Sequence, residues 1–376
     1  SFMKLAFADS LPEHHSSSTS RKINQNIKFR TIDSPLSPYL DEKSYLDMKR
    51  NTNFSSASSC SSFCSQYGDD LIDEVYRYGE AAGKVALEED FKVIHAHDWL
   101  SYPAGITAKK VSKKPLITHV HALEYDRSHE AGVNQSICAI ERAGLEASDK
   151  IIAVSAYTKQ RIMQYYHIPA DKIEVVHNGI NLNQKPKKHL TLKSIKSGGK
   201  KMVLFVGRIT YQKGVDYLIE AAYKALKHNP KMIFMIVGSG DMTYQIIEQA
   251  AYFGISDKVF FPGFLRGDDL EKIYQSADLY VMPSVSEPFG LVALEALSNN
   301  VPVIVSKQSG AAEVLNHSLK VDFWDTDDLA NKMVAVINNT ALRHSLSKYG
   351  HKEVLACTWD LAADKCIKVY NQLATS

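Results

Sequence analysis

The sequence is poor in cysteine and has neither a long apolar segment nor a large net charge. Its five cysteines include no C-x-x-C pair and no histidine–cysteine cluster with zinc spacing (Cys60, Cys64, Cys138, Cys357 and Cys366). This pattern predicts reduced thiols and a cytoplasmic protein. No apolar run approaches the roughly 18 residues of a membrane-spanning helix, so any membrane contact is expected to be peripheral.

Positive charge is not in excess either. The 44 lysines and arginines outnumber the 42 aspartates and glutamates by only two, and a chain without a basic field is not expected to bind nucleic acid. At 376 residues with 45% hydrophobic content, the chain is instead typical of a soluble protein with two domains.

From about residue 90 onward, the sequence alternates between short apolar runs and helical patterns. Strands are predicted at Lys92–His95, Leu116–Val120, Lys150–Val154 and Ile173–Val176, and then at Met202–Val206, Met232–Val237, Val259–Phe261, Leu279–Met282 and Val303–Val305. Nearly continuous apolar runs indicate parallel strands covered on both faces. We therefore predict an α/β fold with two Rossmann-like, doubly wound parallel-sheet domains that face a cleft.

The composition also suggests where the two domains meet. Gln184–Lys201 is lysine-rich and aperiodic, as expected of an exposed linker. We assign residues 1–183 to a first domain and residues 184–359 to a second domain, and we expect a C-terminal helix at 360–376 to pack back on the first domain. A ligand site is expected between the domains, at the carboxyl ends of their strands.

The most informative stretch is Glu287–Glu295. Pro288 and Gly290 predict a turn, and the helix after it is apolar nearly all round, with Glu295 in its middle. A buried carboxylate needs a partner, which is either a pair of ligand hydroxyls or a distant arginine. The unpaired N–H groups of the first turn, around Phe289–Val292, offer a site for an anion.

Two cations flank the turn after an earlier strand. Gly207-Arg208 follows that strand directly, and Lys213-Gly214 precedes the next helix. Both side chains should lie at the carboxyl edge of the sheet, where they could neutralise a diphosphate. Gly238 and Gly263 also lie in predicted turns, but they are weaker evidence for a ligand contact. Gly263 directly precedes Phe264.

Histidines cluster in the first half. Thr118–His121 contains two histidines, and we expect His121 to face the cleft. Farther along the chain, Asn178 lies in a turn dipeptide that could contact a ligand. His95, His97 and Asp98 end a further strand. Since no third ligand neighbours them in the sequence, we do not interpret them as a metal site.

Together these elements resemble retaining glycosyltransferase family 4, the GT-B group that includes sucrose-phosphate, trehalose and glycogen synthase-like enzymes. The resemblance covers roughly residues 90 to 376. It rests on the Gly-Arg-x4-Lys-Gly and Glu-x7-Glu elements, in the expected order, and on four further stretches at His95–Leu100, Val120–Arg127, Asp149–Thr158 and His177–Ile180.

The resemblance implies that the first domain is the acceptor-side domain and that the second is the nucleotide-sugar donor domain, and it implies a role for each matching residue. Arg208 and Lys213 would hold the donor diphosphate, Glu295 the ribose hydroxyls, and Glu287 the hydroxyls of the transferred sugar, which His121 would face from the other domain. The remaining donor contacts are expected at Asn178, Gly207, Gly238, Phe264, Phe289, Gly290 and Leu291. Similar enzymes need no metal or other cofactor.

One departure from the family concerns the N-terminus. Family members usually begin with a strand and a glycine-rich loop that contacts phosphate and acceptor, whereas Phe7–Pro12 and the serine-rich run after it contain no glycine. We therefore expect an N-terminal domain that is incomplete relative to the family.

The sequence thus predicts a retaining hexosyltransferase that uses a UDP-glucose-like donor and a sugar, polysaccharide or lipid-linked acceptor. Two alternatives remain at this point. One is a regulatory or degenerate protein that binds nucleotide-sugars without turnover, and the other is a GT-B-type nucleotide-sugar epimerase.

Overall fold

A computed structural model describes residues 3–8, 27–36, 44–47, 70–128, 132–181 and 196–374. The predictions for the glycine-free loop after Ala8, for the serine-rich stretches and for most of the linker fall outside these residues. In the part of the chain that is described, no helix is long and apolar enough to cross a membrane.

The first domain is built on a four-stranded parallel sheet. Its order is β3-β4-β5-β6, and a separate parallel pair, β1-β2, precedes it. The strands are β1 (Met3–Ala8), β2 (Ile27–Ile32), β3 (Ile94–His97), β4 (Leu116–Val120), β5 (Lys150–Ala153) and β6 (Ile173–Val175). The helices are α1 (Leu71–Glu88), α2 (Tyr102–Ser112), α3 (Glu124–Arg127), α4 (Gln135–Ala147) and α5 (Ala156–Tyr166).

The second domain is a six-stranded parallel sheet in the order β12-β11-β10-β7-β8-β9. Its strands are β7 (Lys201–Val206), β8 (Met232–Val237), β9 (Val259–Gly263), β10 (Leu279–Met282), β11 (Val303–Ser306) and β12 (Leu319–Val321). Its helices are α6 (Val215–His228), α7 (Thr243–Tyr252), α8 (Gly267–Ser276), α9 (Leu291–Ser298), α10 (Ala311–Val314), α11 (Thr326–Asn338) and α12 (Thr340–Val354).

The apolar runs form these strands because both faces of the sheet are buried. Along β7, Val203 and Phe205 pack into one layer, whereas Met202, Leu204 and Val206 pack into the other. The predicted fold class, two parallel-sheet Rossmann-like domains, is confirmed. β3 is shifted by two residues from its predicted position, because His97 rather than His95 ends the ladder.

The C-terminal helix α13 (Trp359–Ala374) lies on the first domain. Its Ala362 and Val369 pack with Ile117 and Ile152 of the four-stranded sheet. The chain reaches this position through a bridge beside Gly179, where an added Cβ would lie 2.2 Å from the backbone nitrogen of Trp359.

Candidate active site

Strand order places a crevice in the second domain. Numbered from its own first strand, the sheet reads 6-5-4-1-2-3, so the order reverses between β7 and β10. In open α/β sheets, ligands bind outside the carboxyl ends of the strands at this switch point. The segment that follows β7 carries Arg208 and Lys213, and the segment that follows β10 carries Glu287. Sequence motifs that lie about 80 residues apart therefore meet at one edge.

An ion pair joins these two segments. Lys213 Nζ lies 2.6 Å from Glu287 Oε2, and the two side chains are only 18% and 9% exposed. Ser284 Oγ donates a longer hydrogen bond of 3.4 Å to the same carboxylate oxygen. A largely buried pair of this kind holds both charged groups in fixed positions, which suits the binding of a polar ligand.

Gly214 permits this close approach. It adopts φ +63°, and a Cβ at this position would lie 2.2 Å from the carbonyl oxygen of Pro283. The chain after β7 therefore passes directly over the chain after β10. This is the physical reason for the Lys-Gly dipeptide in the motif.

Arg208 is exposed at the mouth of the same crevice. Its guanidinium donates to Gln212 Oε1 at 3.3 Å, and the backbone carbonyl of Gln212 accepts from the N–H of Val285 at 2.9 Å. Gln212 thus connects the two segments beneath the arginine.

Glu295 lies on α9 and has a partner that the sequence did not suggest. The phenol of Tyr274, on α8, donates to Glu295 Oε2 at 3.1 Å. Burial raises the pKa of Glu295, and this hydrogen bond opposes the rise. Among the described residues, Oε1 has no recorded donor, and the observed partner is a phenol rather than an arginine.

The N-terminus of α9 faces the same region. Gly290, in the left-handed conformation at φ +102°, begins the helix, and the buried ring of Phe289 precedes it. The N–H of Ala293 donates to the Gly290 carbonyl at 3.1 Å, and the preceding N–H groups of Leu291 and Val292 lie at the positive end of the helix dipole.

The first domain holds the Glu287–Phe289 loop in place. Ser155 Oγ, which caps α5, donates to the Pro288 carbonyl at 2.6 Å. Ser286 Oγ donates to Asp126 Oδ1 at 2.6 Å, and the same carboxylate oxygen lies 2.7 Å from Arg161 Nε.

A carboxylate of the second domain also caps a helix of the first. Glu313 accepts hydrogen bonds from the backbone N–H groups of Ala156 and Tyr157 at 2.9 and 2.6 Å, and it lies 3.0 Å from His177 Nε2. These contacts lower the pKa of Glu313 against the opposing effect of burial.

His121 is half-buried and tightly oriented. Its backbone N–H donates to Asp98 Oδ1 at 2.7 Å, and its Nε2 lies 2.9 Å from His97 Nδ1. The segment that follows it, α3, lies against the turn at Tyr211–Lys213. The segment that follows His121 therefore lies beside the turn that carries Lys213.

The other predicted donor contacts have fewer interactions with the residues described above. Asn178 is half-buried beside His177, whose ring centroid lies 6.0 Å from that of Phe289. Gly238 packs against Gly207, with an added Cβ only 1.9 Å from its carbonyl oxygen. Phe264 is 69% exposed.

Sequence reasoning missed several residues around this site. They are Tyr274, Asp126, Ser286, Ser155 and Glu313, and each acts on a segment distant in the chain. The one local signal was Ser-x-x-Thr at Ser155, which is typical of a helix N-cap.

Two family models match consecutive parts of the chain. "Glycosyl transferases group 1" matches residues 188–353, and "Glycosyltransferase Family 4" matches residues 68–184. The boundary between the two matches falls in the predicted linker.

Curated relatives and solved structures agree with these matches. An uncharacterized glycosyltransferase of Methanocaldococcus jannaschii is 35% identical over 297 residues, which cover 75% of each chain. Glycogen synthase of Mycobacterium tuberculosis is 28% identical over 320 residues, covering 81% of this chain and 76% of its own.

Among solved structures, sucrose-phosphate synthase of Thermosynechococcus elongatus superposes over the full length of both chains, with a TM-score of 0.74 and 21% identity. HepE of Anabaena, solved with UDP and glucose, has a TM-score of 0.72 at 18% identity, covering 99% of this chain and 100% of its own. These two likenesses establish the fold. The chain therefore belongs to the group 1 glycosyltransferases and is a glycosyltransferase of the GT-B type.

Proposed function

We propose that this glycosyltransferase is a retaining hexosyltransferase. Its donor is a UDP-glucose-like nucleotide-sugar, and its acceptor is a sugar, a polysaccharide or a lipid-linked sugar. The observation that carries the proposal is the Lys213–Glu287 ion pair at the switch point of the second sheet. One cation and one carboxylate, held side by side, suit a ligand that carries both phosphates and hydroxyls.

Different residues around this pair bind different parts of the donor. Arg208 and Lys213 bind the diphosphate, together with the first N–H groups of α9. Glu295 accepts hydrogen bonds from the ribose hydroxyls, and Glu287 from the hydroxyls of the hexose. HepE, which shares the fold, was solved with UDP-glucose, and this supports the choice of donor class.

The same groups favour the transition state. Breaking the anomeric C–O bond leaves an oxocarbenium-like sugar and a diphosphate whose negative charge increases. Fixed cations and helix N–H groups next to that charge stabilise the transition state more than the ground state. For retention, the acceptor attacks from the face that the diphosphate leaves, so no carboxylate nucleophile is assigned. Arg208 and Lys213 supply the positive charge, and we propose that donor binding needs no metal.

Calorimetry and a nucleotide-release assay test this function. UDP-glucose, ADP-glucose and GDP-mannose are titrated into the protein with and without EDTA, and nucleotide release is then followed with each donor under both conditions. We expect saturable binding of one donor and slow release of its nucleotide. Binding without release would favour a regulatory protein, and interconversion of the sugar without release would favour an epimerase. Absence of binding by all three would contradict the proposal.

The variant Lys213→Met tests whether Lys213 takes part in the reaction. We expect it to lower nucleotide release by at least about 100-fold, as for the loss of one preorganised electrostatic contact. Lys332→Met is the matched control, because Lys332 pairs with Asp328 within helix α11, which carries none of the residues assigned to the donor. Equal activity of the two variants would remove Lys213 from the mechanism.

A further inference from the structure

Four histidines share one face of the first domain's sheet. His95 and His97 are two residues apart on β3, so their side chains point the same way. The strand register sets His97 opposite His119 on β4, and His121 follows two residues later. The ring centroids lie 4.3 Å apart within each strand's pair and 5.0–5.2 Å apart across the strands.

Three of these imidazoles present nitrogens close together. One ring nitrogen from each of His95, His97 and His119 lies within 4.8 Å of the other two. His119 is only 7% exposed, and neither of its ring nitrogens has a hydrogen-bond partner among the described residues. The buried Nε2 of His95 also has none there. Leaving such groups unsatisfied costs free energy, so the arrangement calls for a ligand.

The Nδ1 atoms of His95 and His97 already have partners, as the second ring nitrogen of a metal-binding histidine usually does. His95 Nδ1 lies 2.6 Å from the hydroxyl of Tyr370, on α13, and His97 Nδ1 lies 2.9 Å from His121 Nε2. These contacts orient the two rings so that Nε2 of each remains available.

We propose that His95, His97 and His119 bind a divalent transition-metal ion of the zinc class. Neutral imidazoles suit Zn²⁺, Co²⁺ and Ni²⁺, whereas Mg²⁺ and Ca²⁺ prefer oxygen ligands. The planes of these three rings lie at only 7–31° to one another here. Because a metal ion lies in the plane of each imidazole that binds it, and Zn–N bonds are about 2.0–2.1 Å long, binding requires the rings to rotate so that their three nitrogens converge. Water or a ligand oxygen would fill the fourth position.

The site lies in the first domain and is separate from the charges that hold the donor diphosphate. Its metal does not replace Arg208 or Lys213. It fixes His97, and through His97 it fixes the ring of His121. The proposal stands on the histidine geometry alone and does not depend on the donor or the acceptor.

Metal titration of the full chain, without a histidine tag and after removal of metal with EDTA, tests the site. We expect one equivalent of Zn²⁺ to bind with saturable heat, and no binding of Mg²⁺. Co²⁺ should give the intense visible absorption of a tetrahedral nitrogen site. Absence of a 1:1 Zn²⁺ isotherm, or only the weak spectrum of octahedral Co²⁺, would overturn the proposal.

Matched variants assign the ligands. His119→Asn and His97→Asn should each abolish stoichiometric Zn²⁺ binding, and Tyr370→Phe should weaken it by about tenfold through lost orientation of His95. His344→Asn, at an exposed position on α12, is the control and should bind like the unaltered protein. Thermal unfolding without metal shows whether each variant is folded. If His119→Asn does not fold, Zn²⁺ binding by His97→Asn tests the site instead. Unchanged Zn²⁺ binding by a folded variant of a proposed ligand would contradict the site.

Discussion

At the scale of single residues, Glu295 carries the sharpest test of the donor site. Its carboxylate lies in an apolar helix, is hydrogen-bonded by Tyr274, and has a raised pKa because it is buried. Keeping this charge costs free energy in the unliganded protein. A ligand that donates hydroxyls to Glu295 Oε1 would recover part of that cost.

Glu295→Gln is therefore expected to weaken donor binding by roughly tenfold or more, because a hydrogen bond to a charged group contributes about 1.5–3 kcal/mol. The melting temperature should stay the same or rise, since a buried charge is removed. Calorimetry with the preferred donor measures the first effect and thermal unfolding the second. Glu353→Gln, at the His317 pair, is the control. A large loss of stability with unchanged donor affinity would make Glu295 a structural residue.

At the scale of elements, the junction between α5 and α10 couples the two domains. Glu313 accepts from two N–H groups in the first turn of α5 and contacts His177. A carboxylate at a helix N-terminus interacts favourably with the helix dipole. The same junction includes the Ser155 contact to Pro288, so it also positions the loop that carries Glu287.

Glu313→Gln is expected to lower the free energy of unfolding by about 1–2 kcal/mol, since the dipole interaction and charge-assisted hydrogen bonds weaken. Nucleotide release should fall more than donor affinity, because the first-domain contacts to the Glu287 loop loosen. Urea unfolding and steady-state kinetics measure the two effects. Glu146→Gln, exposed on α4, is the comparison. Equal stability of the two variants would show that the junction contributes nothing.

At the scale of the whole molecule, pH dependence of stability follows from Glu141. This buried carboxyl accepts from the N–H of Glu124 and contacts the hydroxyl of Tyr166. Burial raises its pKa from an ordinary 4.5 to about 8. Between these values the folded protein binds the proton and the unfolded chain does not, so stability decreases as pH rises through this interval.

Glu141→Gln mimics the protonated carboxyl and is expected to flatten this dependence. Its amide can accept from Glu124 and donate to Tyr166. Relative to the unaltered protein, the variant should gain stability from pH 5 to pH 8, by an amount on the order of a few kcal/mol at the upper end. Denaturant unfolding at several pH values measures it. If the free energies of unfolding of the two proteins changed with pH in the same way, the proposed proton on buried Glu141 would be contradicted.

The sequence predicted most of the second domain and the residues of its motifs. Continuous apolar runs such as Met202–Val206 and Met232–Val237 became buried parallel strands, because this pattern depends only on burial of both faces. The chain positions of Arg208 and Lys213 at a strand end were also predictable, since the motif and the strand are adjacent. Their roles in donor binding stay predictions until the titrations are made.

The sequence did not predict which side chains that are distant in the chain meet in the fold. No third ligand neighbours His95 and His97 along the chain, but strand register brings His119 beside them. Tyr274 beside Glu295 is another example. By itself the sequence determined the fold class, most of the strand positions and the charged motifs, because these follow from local pattern. Only the tertiary structure decided which side chains meet, because parallel pairing and domain packing join residues that local pattern cannot connect.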